Sequence, residues 1–280
     1  MIVRLWGTRG SLPTPGRSYA AFGGNTSCVS VSGDDPRWLT VLDAGTGICE
    51  LGAQLHPEVE RIDILLTHLH LDHILGLGFF AALYRPELDL HIWGPRSTVL
   101  SLQTRLSRYL SPPLFPVRLR DLPCRLTLHE VPGGPFEVPG FVIDSDYVCH
   151  PGPTLGFRVN DRDGALAYIA DHEPALGAGA FPEAPEWTSG FDLARDADLL
   201  IHDSQYDDSE YTQRTGWGHS SVSHAVALAR AAGARHLVAF HHDPSHTDAT
   251  LERLYADRAL ASTPALTITP AREGAAFTVG

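Results

Sequence analysis

Short apolar runs recur along the whole chain, each closed by glycine, a carboxylate or histidine, and that rhythm reads as a series of buried strands. The pattern predicts strands over Met1-Ile2-Val3-Arg4-Leu5-Trp6, Cys28 to Val31, Trp38 to Leu42 and Ile62-Asp63-Ile64-Leu65-Leu66. Further strands are predicted over Phe136 to Phe141, Val142 to Cys149, Ala165 to Ala170, Asp198 to Ile201, His236 to Phe240 and Leu266 to Thr269. Helical spacing predicts helices over Ile48 to Leu55, Ile74 to Leu83, Arg96 to Leu110 and Val222 to Ala232, and a last one from near Asp248 toward Leu260. Ser220 or Ser221 supplies an N-cap for the Val222 helix and Gly233 its stop. The stretch Ser111-Pro112-Pro113-Leu114-Phe115-Pro116 has to be irregular, and the region around it is a candidate lid or dimer contact.

The residues that close these runs carry the chemistry. Ile62 to Leu66 runs directly into Thr67-His68-Leu69-His70-Leu71-Asp72-His73. On an extended chain residues two apart project to the same side, so His68 and His70 can pinch one metal ion. Asp72 and His73, leading into the next helix, face a different point and suit a second ion. Imidazole mixed with carboxylate fits zinc, manganese or iron better than calcium or magnesium. Later runs end at His150, at Asp171, at His202-Asp203 and at His241-His242, and Trp38 to Leu42 ends at Asp43. In layered α/β folds the carboxyl ends of strands share one rim, where ligands bind, so these distant residues can converge there. Asp43 can cap the helix after it or orient a metal-bound histidine from behind. His219 stands beside the N-terminus of the Val222 helix, a favourable place for an anion and for a proton donor to it.

Composition narrows the classes. With 280 residues and 43% hydrophobic content the chain can build an ample core, and no linker, repeat or low-complexity tract divides it, so one domain over 1–280 is expected. A formal net charge of −12 disfavours docking along a large nucleic acid while leaving room for a small phosphorylated ligand. The chain has no lysine, which excludes Schiff-base and P-loop lysine chemistry. Cys28, Cys49, Cys124 and Cys149 show no metal-binding or disulfide spacing and read as packed free thiols. Neither a signal peptide nor a membrane span is recognisable, so a cytoplasmic protein is expected. The turns Gly7-Thr8-Arg9-Gly10-Ser11 and Gly23-Gly24-Asn25-Thr26-Ser27 could present N–H groups and Arg9 to an anion, although strand-joining turns use the same residues. They make Arg9, Asn25 and Ser27 candidate substrate contacts.

Thr67 to His73 resembles the H-x-H-x-D-H signature of the metallo-β-lactamase superfamily, with His150, Asp171 and His241 following in the expected order. The resemblance covers nearly the whole chain and implies an αββα sandwich, two mixed sheets face to face with helices outside, and a dinuclear site at one edge. It implies that His68, His70 and His150 hold one metal, that Asp72, His73 and His241 hold the other, and that Asp171 bridges them; the ions would be two divalent transition metals, zinc first. His241 is chosen over His242 because adjacent residues on a strand face opposite ways.

Gly216-Trp217-Gly218-His219-Ser220-Ser221 is similar to the histidine motif of the phosphodiesterase branch that includes ribonuclease Z, and Ile201-His202-Asp203-Ser204 is similar to its histidine-glutamate segment with Asp in place of Glu. The long arm that captures tRNA in that branch has no counterpart in the short segment between His150 and Asp171. What is implied is a hydrolase of a small phosphodiester, such as a cyclic or short linear nucleotide, attacked by a metal-activated water, with His219, oriented by Asp203, steadying a phosphate oxygen or protonating the leaving one. The competing readings are a thioester or lactam hydrolase, an RNA-processing nuclease and a non-catalytic metal-bearing protein.

Overall fold

The structure, a computed structural model, describes residues 1–174, 181–182, 184–256 and 262–280. Its strands are β1 (Ile2–Gly7), β2 (Cys28–Ser32), β3 (Trp38–Leu42), β4 (Arg61–Leu65), β5 (Asp89–Pro95), β6 (Arg125–Val131) and β7 (Gly134–Val138). They continue with β8 (Phe141–Tyr147), β9 (Leu155–Asn160), β10 (Ala165–Ile169), β11 (Leu199–Asp203), β12 (His236–Phe240), β13 (Thr267–Pro270) and β14 (Ala276–Thr278). Two sheets result, ordered β14-β1-β2-β3-β4-β5-β6 and β13-β12-β11-β10-β9-β8-β7. Each is antiparallel in part and parallel through β3 to β6 or β10 to β13. The α/β architecture with two mixed sheets is the one expected.

In the central strands the apolar runs are continuous because there each sheet is covered on both faces, as in β10 and β11. Val3, Leu5, Val29, Val31, Leu42 and Leu65 of the first sheet meet Ile143, Phe157, Leu166, Tyr168, Val238 and Phe240 of the second. On the outside, Ile62, Ile64, Leu90 and Ile92 pack beneath α1 (Gly47–Ala53) and α3 (Leu102–Tyr109). Ala167, Ile169, Leu200 and Leu237 pack beneath α4 (Phe191–Ala194) and α6 (Val222–Ala231). Each such aliphatic side chain contributes about 1.5–3 kcal/mol of burial, so an aspartate at Ile64 would break the layer. Ser221 caps α6 by accepting from the His224 N–H, and Gly233 follows the helix at φ 71°.

Four expectations need correcting. The strand over Phe136 to Phe141 is divided by Pro139 and Gly140, at φ 86°, into the end of β7 and the start of β8. The helix over Ile74 to Leu83 is a single turn, α2 (Leu71–Ile74), followed by two 3₁₀ turns, because Gly76 and Gly78 interrupt it. The helix from Arg96 begins only at Leu102, where Ser101 accepts from the Thr104 N–H and sets the start. Strand β8 stops at Tyr147, so His150 sits in the following loop. Of two more helices, α5 (Asp208–Arg214) and α7 (Asp248–Tyr255), α7 packs Leu254 and Tyr255 on the outer layer of the second sheet; its expected continuation to Leu260 lies outside the described residues. Among the described residues no helix is long and apolar enough to cross a membrane.

Candidate metal centre

The parallel strands of both sheets deliver their carboxyl ends to one rim, and the site is assembled there. Asp43, just past β3, adopts φ 59° and turns its carboxylate inward, where it accepts the Thr67 N–H at 2.8 Å and the Tyr168 hydroxyl at 2.9 Å. His73 Nδ1 donates to the same carboxylate at 2.8 Å, and the Thr67 hydroxyl, 3.0 Å from it, is also 3.0 Å from His68 Nδ1. With Nδ1 of each ring engaged, His68 and His73 are left to present Nε2. Of the two roles open to Asp43 the structure gives the second, since Thr46 occupies the N-cap of α1.

Seven residues converge in two clusters that share Asp171: His68, His70, His150 and Asp171 in one, Asp72, His73, His241 and Asp171 in the other, the ligand atoms of each lying within 4.8 Å of one another. Asp171 Oδ2 is 3.7 Å from His68 Nε2 and 3.6 Å from His150 Nε2, whereas Oδ1 is 3.1 Å from His73 Nε2 and 3.2 Å from His241 Nε2. One carboxylate thus offers an oxygen to each cluster. Asp72 Oδ2 lies 3.2 Å from His73 Nε2 and 3.1 Å from His241 Nε2.

This donor set fits two cations. His68 Nε2, His73 Nε2 and Asp171 Oδ1 are buried and make no hydrogen bond of acceptable geometry. With Nδ1 on Asp43, His73 Nε2 faces carboxylate oxygens of Asp72 and Asp171 across about 3 Å, an arrangement that needs positive charge between them, a cation or a proton. His70 Nδ1 and His150 Nε2 stand 3.1 Å apart. Burial would lower the His73 imidazole, yet Asp171, Asp72 and Asp43 hold it well above its ordinary range; burial holds His68 well below.

The remaining supports come from elsewhere in the chain. His241 Nδ1 is 3.0 Å from Gln205 Oε1, His150 Nδ1 donates to the Gly218 carbonyl at 2.7 Å, and the Ser11 N–H donates to Asp72 Oδ2 at 2.8 Å. Ser11 and His241 adopt φ 61° and 63°, uncommon for residues with a side chain. The first glycine-rich turn therefore does hold an anion, but the anion is the chain's own Asp72. Gly10 has no room for a side chain, since a Cβ there would lie 2.4 Å from His241 Nδ1.

His219 stands at the mouth. Its Nδ1 is 2.8 Å from Asp203 Oδ2 and 3.9 Å from Asp171 Oδ2, and its ring stacks on His241 at 5.1 Å between centroids. Burial alone would lower this imidazole, but Asp203 outweighs it and pushes the group up to about 9. Other expected residues are elsewhere. Arg9 is fully buried and its guanidinium donates to the carbonyls of Gly23, Asp243 and His246, so it has no surface to offer a substrate; Ser27 is equally buried. The Asn25 side chain is spent on Glu273 and Thr46. His202 turns inward to His172, and His242 turns away to the Ala271 carbonyl. Sequence reasoning missed Ser11, Gln205, Tyr168 and Glu173 as supports; the one available signal was that Gln205 and Glu173 each lie two residues beyond a strand-end aspartate.

A family model described as "Beta-lactamase superfamily domain" matches residues 37–242. The chain belongs to the β-lactamase superfamily. This superfamily member is a hydrolase, and its metallo-β-lactamase fold implies divalent metal ions. It is 25% identical to ribonuclease Z of Thermoplasma volcanium, with 88% of each chain covered. Its backbone matches the metallo-β-lactamase fold protein YhfI of Bacillus subtilis with TM-score 0.70 at 18% identity, covering 99% and 98% of the two chains. It matches a diphosphatase of the PhnP family with TM-score 0.69 at 18% identity, covering 99% and 96%.

Proposed function

We propose that this hydrolase cleaves a small phosphodiester, such as a cyclic or short linear nucleotide. His68, His70 and His150 would hold one divalent ion, Asp72, His73 and His241 the other, and Asp171 would span both; zinc suits the donors, with manganese or iron as alternatives. When bound, such a pair supplies a water acidic enough to attack at neutral pH and positive charge for the phosphoryl oxygens.

The observation that carries the reading is His219. It belongs to neither four-residue cluster, yet Asp203 fixes its Nδ1 at the mouth of both, which leaves Nε2 for a substrate oxygen. A carbonyl hydrolase has less use for a second imidazole beside the ions, and the ribonuclease Z relatives favour phosphodiesters. Small size is supported by the segment between His150 and Asp171, which is the plain hairpin β9–β10, and by the net charge of −12.

His219→Ala tests this. Metal content should stay at the wild-type level, while loss of acid or oxyanion help slows a diester with a poor alkoxide leaving group by about 10² to 10⁴. A p-nitrophenolate ester should slow much less, because that group departs unprotonated. Equal slowing of both would assign His219 to phosphate positioning. No slowing of either, with both ions bound, would return the thioester or lactam reading to first place.

A further inference from the structure

Glu173 is fully buried, carries no basic partner among the ion pairs of the described residues, and lies two residues past Asp171. Its carboxylate accepts three donors: the Tyr211 hydroxyl at 3.0 Å and the Gly216 N–H at 2.7 Å on Oε1, and the Gly218 N–H at 2.8 Å on Oε2. Two alternating backbone amides and a phenol replace the water a buried carboxylate loses. The segment so gripped packs directly on the candidate metal centre. The Gly218 carbonyl accepts from His150 Nδ1 at 2.7 Å, and Gly218, at φ 89°, leaves no space for a Cβ, which would lie 2.7 Å from that same nitrogen. The next residue is His219. One buried carboxylate therefore fixes a peptide that orients His150 on one side and launches His219 on the other.

We propose that Glu173 is a positioning residue for His150 and His219, coupling the His68/His70/His150 ion to the proton donor. The inference rests on the reading of His150 as a metal ligand. Orienting partners of this kind typically set about 10- to 100-fold in metal affinity. Glutamine keeps the volume of Glu173 but has one acceptor oxygen, so its NH₂ must face either the Gly218 amide or the Gly216 and Tyr211 donors.

The test is a Zn²⁺ titration of metal-stripped protein, resolving two affinities, on wild type, E173Q, Tyr211→Phe and His150→Ala. Glu173→Gln should weaken one ion by about 10- to 100-fold, the same ion that His150→Ala removes, and leave the other within about threefold. Tyr211→Phe, which withdraws one of the three donors to Glu173 and keeps the carboxylate, should weaken that same ion by a smaller factor, and it serves if E173Q does not fold. On a diester with a poor leaving group E173Q should also share the selective slowing of His219→Ala. Unchanged affinities in both E173Q and Tyr211→Phe, or equal weakening of both ions, overturn the inference while leaving the ligand reading intact. If His150→Ala itself leaves both affinities unchanged, the ligand reading falls and takes this inference with it.

Discussion

The two clusters meet at Asp171 but live in different surroundings. In one, His70 is exposed, although the His150 imidazole beside it is buried; in the other, Asp72, His73 and His241 are all buried. The sealed cluster is also the more heavily braced, with Asp43 on His73, Ser11 on Asp72 and Gln205 on His241. Three of the four non-glycine residues with positive φ among the described residues, Ser11, Asp43 and His241, belong to it or brace it. Such backbone costs on the order of 1–3 kcal/mol each and persists only where surrounding structure over-determines it. The sealed half is the more constrained of the two, then, and the other half is the one that reaches solvent, through His70.

The largest effect should come from removing what the halves share. Asp171→Ala takes an oxygen from each cluster, so both ions should bind weakly and turnover should fall to background, with the melting of the metal-free protein little changed. Metal analysis beside a melting curve checks this. Loss of only one ion would show that the carboxylate serves a single half, and the comparison would have to be redrawn. Asp163→Ala, in the exposed turn of the same hairpin, is the control and should alter stability by no more than about 0.5 kcal/mol.

How legible this was in the sequence depends on how local each cause is. The convergence of His68, His70, Asp72 and His73 could be read because six consecutive positions fix their mutual geometry, and the strand-end positions of Asp171 and His241 followed from apolar runs. The two mixed sheets were not read from the runs themselves but followed from the resemblance carried by Thr67 to His73, His150, Asp171 and His241. Polar residues in turns were not, because composition is the same whether a side chain faces out or in. Arg9 reads as an anion contact and is instead enclosed by backbone carbonyls. Ser11 acts through its N–H, which any residue except proline could supply. Gln205 and Glu173 reach their partners across 36 and 45 positions, separations that no local pattern encodes. Strand β6 alternates clearly from Arg125 to Val131 yet lies in a proline-broken region that offered little to anchor it.

A middle-sized effect should separate the halves. Gln205 braces only the sealed cluster, accepting from His241 Nδ1, so Gln205→Leu should weaken one ion by about 10-fold and spare the other. The ion lost should differ from the one that His150→Ala removes. Competition titration with a metal-sensitive dye would read both affinities, and weakening of the His150-dependent ion would contradict the division into a braced and an open half.

Apart from the Asp163 control, the smallest effect on the metal centre is expected at His242, and it tests how sharply the sealed half is drawn. Adjacent to His241 in sequence, His242 is buried, with Nε2 on the Ala271 carbonyl at 2.9 Å and its ring edge-on to Phe22. Its backbone still pairs with the first turn, the His242 N–H donating to Thr8 O while Gly10 N–H donates to His242 O. Phenylalanine keeps the aromatic contact and both backbone bonds but deletes the side-chain hydrogen bond and orphans a carbonyl, a loss of about 1–3 kcal/mol. Nothing in that list reaches a ligand atom. His242→Phe should therefore melt lower while binding both ions with wild-type affinity, and its turnover per folded molecule should match wild type. Loss of an ion in His242→Phe with the fold retained would mean that His242, and not its neighbour alone, serves the sealed cluster.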